Sequence, residues 1–321
     1  MNIARYLLES RGVGNAMRRL PRIAGRFGVT PRTMERRLEE FTELTARYGC
    51  RPTLAVTAVL MERYPDAFRR LAEGAELAVH GYVHTDYQQL DEAAQTEHME
   101  RALRAFQGVS LQPAGFRCPY LRWNVETFQV ARKFGLTYSS NYSLAWDTVP
   151  PDHVEPADWD AYQKGLRLYG TRRAADYPSL PAVVHGGLLD MPASLPDDEA
   201  MVDRLALSPA AREAAWLGIL DRTYSLGEHF TLILHHERVP MCGPALEAVL
   251  ARARSYDPPV YVAPLGDVAE WWLRRRHQRL TVEPASEGRY RVTAPDCPGL
   301  TVLVRNAETE PAAAPWYGND R

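Results

Sequence analysis

Three side chains able to bind a metal fall close together in the stretch ELAVHGYVHTDY, at His80, His84 and Asp86. Imidazoles four positions apart face the same way where the chain turns helically, so the two histidines converge on one cation. A second polar group ends the apolar run in FTLILHHERVP, where His235, His236, Glu237 and Arg238 follow one another. A third is Arg117 with Pro119 and Tyr120 in GFRCPYLRWN. A divalent ion on neutral imidazoles polarises a carbonyl and activates water, an imidazole near neutral pH donates a proton to a leaving group, and a guanidinium offers a fixed planar fork of donors. That is the equipment of metal-assisted hydrolysis. The competing readings are a chance histidine pair in a solvated turn and, for Glu237, a surface ion pair with Arg238 or Arg122.

The elements around these residues favour the chemical reading. Glu76 to Val79 and the run Leu232 to Leu234 have the composition of short buried strands, and α/β proteins place polar side chains at the carboxyl ends of such strands. Met34, Leu38, Phe41 and Leu44 form a helical stripe that runs to Tyr48 and leads into the β-branched segment RPTLAVTAV. A helix is expected over Asp91 to Phe106, another from an Asn124 cap to Phe134, with Gly135 ending it, and a strand at LTYSSN. Residues 141–187, rich in Pro, Tyr, Trp and Asp, read as binding or lid loops. GLLDMPASLP carries Asp190 as a candidate carboxylate, and Asp197 and Asp198 read as first-turn acids of a following helix. A helix at Pro244–Ser255, a strand at PPVYVAP, a helix at Leu265–Arg276 and three short β runs at 279–283, 289–293 and 300–305 complete the chain. Alternating β and α elements with right-handed crossovers imply a parallel barrel or sheet, ending in a small antiparallel appendage.

The chain has 321 residues, 45% of them hydrophobic and 24% charged, and a formal net charge of -2, which is the composition of a globular protein with a sizeable core. Cys50, Cys118, Cys242 and Cys297 show no paired spacing, so reduced thiols are expected rather than a zinc ribbon or a disulfide framework. Arg5, Glu9, Arg11, Arg18 and Arg19 break the apolar residues near the start, a pattern that predicts a cytoplasmic protein without a spanning segment. Residues 1–40 hold nine Arg and four Glu, a local charge of +5 suited to peripheral contact with an anionic partner. RIAGRFGVTPRTMERRLEEF has the outline of a helix-turn-helix with Arg32, Arg36 and Arg37 outward, a minor alternative in which these helices bind DNA. Thr30 and Pro31 are equally the cap and first-turn proline of an ordinary amphipathic helix, and no nucleic-acid partner is expected.

In order along the chain, these motifs resemble the polysaccharide deacetylases, carbohydrate esterase family 4 or the NodB homology domain. His80 and His84 are similar to the family's metal-binding histidines, Arg117, Pro119 and Tyr120 to its RxPYG motif with Leu121 in place of the glycine, and His235 to its strand-end catalytic histidine. Trp146 with Asp147 bears a weaker resemblance to its fourth motif, and Tyr48, Gly49 and Leu54 to Val59 to its ATFFV strand. The TFDDG motif is different. Arg26 and Phe27 stand at its two aspartates, with Gly28 at its glycine.

The resemblance, over roughly residues 28 to 272, implies an irregular (β/α)7-type NodB-like barrel; with the basic helical arm this makes a domain of residues 1–276, and the β runs read above make residues 277–321 an appendage and tail. It implies a metal-dependent hydrolase that removes an acetyl group, N-acetyl first, from a saccharide or saccharide precursor. A divalent ion, zinc first, would be held by His80 and His84, with Asp86 the first candidate for a third ligand. His235 would be the general acid, Arg117 would orient the base, the Tyr120 amide would help hold the oxyanion, and Glu237 is the favoured substitute carboxylate. The main alternative is a glycan-binding relative without catalysis.

Overall fold

The structure is a computed structural model that describes residues 31–276, 279–285 and 289–293. Helix α1 (Pro31–Arg47) carries the predicted apolar stripe, and that stripe is used inside the protein. Met34, Leu38 and Phe41 pack on one core cluster, while Phe41 again and Leu44 join a second. Of the arginines read as a possible DNA-facing row, Arg36 and Arg37 both lie against Glu40, at 3.8 and 2.7 Å. A helix whose apolar face is committed to two cores, and two of whose arginines pair with its own Glu40, has a structural role.

After α1 come β1 (Thr53–Val56), the short helix α2 (Val59–Arg63), α3 (Pro65–Gly74) and β2 (Glu76–Val79). Then follow α4 (Glu92–Gly108), β3 (Gly115–Phe116), α5 (Val125–Lys133), β4 (Tyr138–Ser139) and β5 (Ser143–Ala145). Helix α6 (Pro156–Leu168) precedes β6 (Arg172–Arg173), β7 (Ala182–Val183), β8 (Leu189–Asp190) and β9 (Ala193–Leu195). Helices α7 (Pro209–Leu226), α8 (Val239–Ser255) and α9 (Leu265–Arg276) lead to the hairpin β10 (Thr281–Pro284) and β11 (Tyr290–Thr293).

Six strands join in the order β1-β2-β3-β4-β8-β7, parallel throughout except for β7 against β8. The order β6-β5-β9 forms a second, parallel group. The two groups share chain segments: β4 pairs with β8 and, a few residues on, β5 pairs with β9. Thr231 extends the second group through a parallel bridge to Ala193. Among the described residues, strand hydrogen bonds do not close the ring.

Two expected strands are absent as strands. In FTLILHH only Thr231 pairs, although Leu232 and Leu234 still pack in the second core. The backbone beyond them turns into the short helical turn His236–Arg238, and the amide of His235 bonds a carboxylate instead of a neighbouring strand. PPVYVAP is also irregular: its prolines supply no amide donors, and the Val260 amide donates back to the carbonyl of Ala253 at the end of α8.

Contacts divide the chain into two units, Met1–Glu270 and Trp271–Arg321, a division that falls within α9 rather than after it. In the second unit β10 and β11 pair antiparallel, as expected of the appendage; the run at 300–305 lies outside the described residues.

Two polar side chains anchor the loop after β2. Gln95 of α4 lies with its amide nitrogen 3.2 Å from the carbonyl of Tyr87, 3.0 Å from that of Leu90 and 2.7 Å from Oδ1 of Asn124. Asn124 caps α5 in a reciprocal capping box with Thr127 and reaches the Leu90 carbonyl at 2.9 Å. At the other end of the sheet, a Cβ on Gly115 would stand 1.9 Å from the ring of Tyr138, whose hydroxyl donates to Glu76 at 2.7 Å. Gly115→Ala should therefore lower the stability by about 1–3 kcal/mol, the range for overpacking a buried site, read from the midpoint of urea unfolding.

Candidate active site

The first residue beyond each of four strand positions remains tied to the sheet. His80 donates its amide to Val56 at 2.8 Å, Arg117 to Val79 at 2.9 Å, Ser140 to Phe116 at 3.0 Å and Met191 to Ser139 at 2.9 Å. Each acceptor is the last residue of a strand, so the ladder runs one step past the pairing and sets its polar residues along one edge.

On that edge His80 Nδ1 lies 2.6 Å from the carbonyl oxygen of Arg117, which makes Nδ1 the donor and leaves the Nε2 lone pair available. Burial, and then the neighbouring His84, bring the His80 pKa down to about 3, so the ring is neutral at physiological pH. His84 has its ring centroid 5.1 Å from that of His80 and is also shifted down, by burial first and then by His235. Between them Gly81 has φ +75, and a Cβ there would meet the Tyr87 hydroxyl at 3.0 Å, so the turn that brings His84 back needs glycine. The ring of Tyr120 stands edge-on to His84 with centroids 4.4 Å apart. Tyr120 and Leu121 both adopt left-handed backbone, φ 60 and 53, an arrangement costing on the order of 1–3 kcal/mol per residue that buried packing of Leu121 offsets.

Neutral imidazoles, one with its tautomer fixed by a backbone carbonyl, are the form in which histidine binds a metal, so His80 and His84 fit two positions of a metal site. Among the described residues no third His, Cys, Asp or Glu is grouped with them. Asp86, the expected third ligand, is engaged elsewhere: it accepts from the amide of Gln88 at 3.1 Å and from Nε of Arg122 at 2.8 Å. Arg122 in turn donates to the carbonyl of Leu168 at the end of α6, so Asp86 belongs to a clamp between loops.

Arg117 acts through its carbonyl on His80, and its side chain turns inward. Nε donates to the Ser140 carbonyl at 3.1 Å and Nη2 to the Ser140 hydroxyl at 2.5 Å, with no carboxylate within ion-pair distance among the described residues. Burial lowers its pKa, against the pull of Tyr138 and Asp190. Asp190 is fully buried and accepts from Ser139, Asn141 and Tyr142, which fixes the chain between β4 and β5. Asp147 pairs with Arg222 on the surface. Arg26, Phe27 and Gly28 lie outside the described residues.

His235 is held by a residue that the sequence marks only as a helix-start acid. Asp198 accepts from the His235 amide at 2.9 Å and from His235 Nδ1 at 2.8 Å. Burial alone would lower the His235 pKa, but the charge of Asp198 and its hydrogen bond outweigh this, Asp197 and Glu237 add to the effect, and the pKa rises to about 9. The ring is 46% exposed on its side-chain surface, so solvent weakens the pull while the direct hydrogen bond preserves its direction. Arg238, nearly fully buried, sits 3.6 Å from Asp198, donates to Glu237 at 2.9 Å and to Asp203 at 2.6 Å. Glu237 has a side chain only 7% exposed, lies 3.5 Å from His236, and its charge raises the pKa of both His84 and His235. Nothing in the spacing of Asp198 and His235 along the chain marks them as partners. Only the approach of the segment after β9 to the end of the Thr231 run joins them.

Comparison with known proteins finds likenesses over part of the chain and in the fold. Residues 27–139 match the polysaccharide deacetylase family model. A peptidoglycan deacetylase-like protein of Gibberella zeae is 31% identical over 85 residues, which are 26% of this chain and 25% of that protein, so the match spans about a quarter of its length. A candidate polysaccharide deacetylase from Mycobacterium smegmatis superposes over 88% of this chain and 90% of its own, with TM-score 0.60 and 21% identity. One from Pseudomonas aeruginosa PAO1 covers 75% of this chain and 73% of its own, with TM-score 0.55 and 23% identity. The NodB-like α/β fold expected from the motifs is the fold found.

Two outcomes check this geometry. Asp86→Ala and Arg122→Ala should each cost about 1 kcal/mol with a coupling near 0.5–1 kcal/mol in a double-mutant cycle, and neither should change metal uptake. Because the folded pKa of His235 lies above its ordinary 6.5, its contribution to stability is full below about pH 6.5 and is lost as the pH rises through about 9. Urea unfolding across that window should show a decline in wild type that His235→Gln lacks.

Proposed function

We propose that this relative of the polysaccharide deacetylases is a metal-dependent hydrolase that removes an acetyl group, N-acetyl first, from a saccharide or saccharide precursor. The observation that carries the proposal is geometric: His80, its Nδ1 held 2.6 Å from the Arg117 carbonyl, has the His84 ring 5.1 Å away, while His235 is held through its Nδ1 by buried Asp198 at 2.8 Å. Burial shifts His80 toward the neutral form that binds a metal, His84 shifts the same way although it is exposed, and Asp198 shifts His235 toward the protonated form that a general acid needs. A divalent ion on His80 and His84, zinc being the first choice, would supply the positive charge that polarises the acyl carbonyl and activates water.

This chain's own residues then have distinct tasks. His235 delivers its proton to the departing amine nitrogen as the carbon–nitrogen bond breaks, and Asp198 holds the imidazole in place by its Nδ1. Glu237 is the described carboxylate whose charge reaches both His84 and His235, and it is suited to accept the proton of the attacking water in place of the family's absent first-motif aspartates. Arg238 keeps that carboxylate oriented. Arg117 fixes His80 by its carbonyl, and the Tyr120 amide, presented by the left-handed turn, is the candidate donor to the oxyanion. The products are acetate and a free amino sugar.

A second reading follows from Arg26 and Phe27 at the positions of the two family aspartates: a protein that binds the acetylated sugar without hydrolysing it. The two are separated by elemental analysis of purified wild type, His80→Ala and His84→Ala, combined with acetate release from N-acetylated oligosaccharides. The expected result is near-stoichiometric metal that both variants lose, and turnover that His235→Ala lowers by about 10²–10⁴-fold with metal retained. Metal-replete protein that binds the sugar and releases no acetate would establish the binding-only reading.

A further inference from the structure

We propose that Asp197 is a second positioning residue for His235, so that two consecutive buried carboxylates, rather than one, hold the proton-donating imidazole. The inference rests on the reading of His235 as general acid. Asp197, Asp198 and His235 bring one ligand-type atom each to within 4.8 Å of the others, and both aspartates are buried. Asp197 accepts from the amide of Ala200 at 2.8 Å, at the start of the helical segment that begins at Asp198. Capping does not require its charge, since an asparagine or serine oxygen accepts that amide equally well.

The charge is costly where it stands. Two buried carboxylates this close repel, and desolvation opposes ionisation of both. Among the described residues no cation lies within ion-pair distance of Asp197. Arg204, the nearest by its influence, is occupied by Glu199 at 2.8 Å and by the hydroxyl of Tyr169 at 2.9 Å. The hydroxyl of Tyr162 is buried without a hydrogen-bond partner, and its pKa is raised by burial and by the charge of Asp197. The proton on His235 is what relieves this concentration of negative charge, and the benefit is mutual: each aspartate raises the proton affinity of the imidazole.

Other charged and titratable groups also act on this trio, among them Arg117 and Tyr169, both of which feel the charge of Asp197. Glu237 and His236 come from the turn of His235 itself, and His80 and His84 from the loop after β2. Arg238 stands against Asp198, Cys242 of α8 against both aspartates, and Glu199 and Arg204 against Asp197. Asp197 has no ion-pair partner of its own among the described residues, whereas Glu237 is tied to Arg238.

The test is an NMR titration of the His235 ring nitrogens in the metal-free protein, with the signals assigned by His235→Gln. Wild type, Asp197→Asn, Asp197→Ser and Asp198→Asn are compared. Both Asp197 variants keep an oxygen for the Ala200 amide, so either one that folds is informative. The expected result is a fall in the His235 midpoint of about one pH unit, a tenfold loss of proton affinity, in the Asp197 variants, and a larger fall in Asp198→Asn. An unchanged midpoint in Asp197→Asn and Asp197→Ser would overturn the proposal and leave Asp197 as a helix cap. The measurement needs neither substrate nor turnover. Absence of acetate release would therefore count against the hydrolase reading alone, whereas a deacetylase with an unmoved midpoint would count against Asp197 alone. Where acetate release is measurable, the basic limb of its pH profile should move down together with the midpoint.

Discussion

The site depends on a ladder of backbone hydrogen bonds that continues one residue beyond the parallel strands. His80, Arg117, Ser140 and Met191 each donate to the last residue of the preceding strand, so their backbones are held as firmly as the sheet itself while their side chains or carbonyls are free to do other work. Arg117 uses both: its carbonyl orders His80 and its guanidinium orders Ser140, whose hydroxyl reaches the Met191 carbonyl at 2.6 Å. A chain of short contacts thus crosses the sheet edge from β2 to the segment beyond β8. Loss of one member would loosen its neighbours, because each orientation is set by the next.

Onto this frame the protein places two electrostatic environments of opposite sign. Around His80 the first influence is burial, with other histidines and Arg117 beside it, so the neutral ring is favoured. Around His235 two buried aspartates and Glu237 overcome burial, and the charged ring is favoured. One residue type is therefore shifted down in one place and up in another, and the difference comes from neighbours rather than from the imidazole. Arg238 stabilises the second environment, since three carboxylates near one histidine need a further cation, and its own burial makes that arrangement rigid.

Strain is kept where it is useful. The left-handed pair Tyr120 and Leu121 sets the Tyr120 ring edge-on to His84, and buried Leu121 anchors the turn. Gly81 makes the opposite choice, supplying a positive φ without strain at the point where any side chain would strike Tyr87.

Much of this was legible along the chain. Apolar runs ending in His80 and Arg117, the stripe Met34–Leu38–Phe41–Leu44, the Asp91 and Asn124 caps and the order of the motifs determined the alternating α/β elements and most of the candidate residues, because these patterns express local periodicity and local hydrogen bonding. What the sequence could not decide was partnership. Asp86 is near both histidines in sequence, yet it faces Arg122; Asp198 resembles a helix-start acid, yet it holds His235 from a distant segment. The expected strand before His235 shortens to a single bridge because a carboxylate takes the amide that a neighbouring strand would have used. Side-chain direction and pKa depend on which segments the fold brings together, and such long-range contacts leave no periodic mark in the sequence.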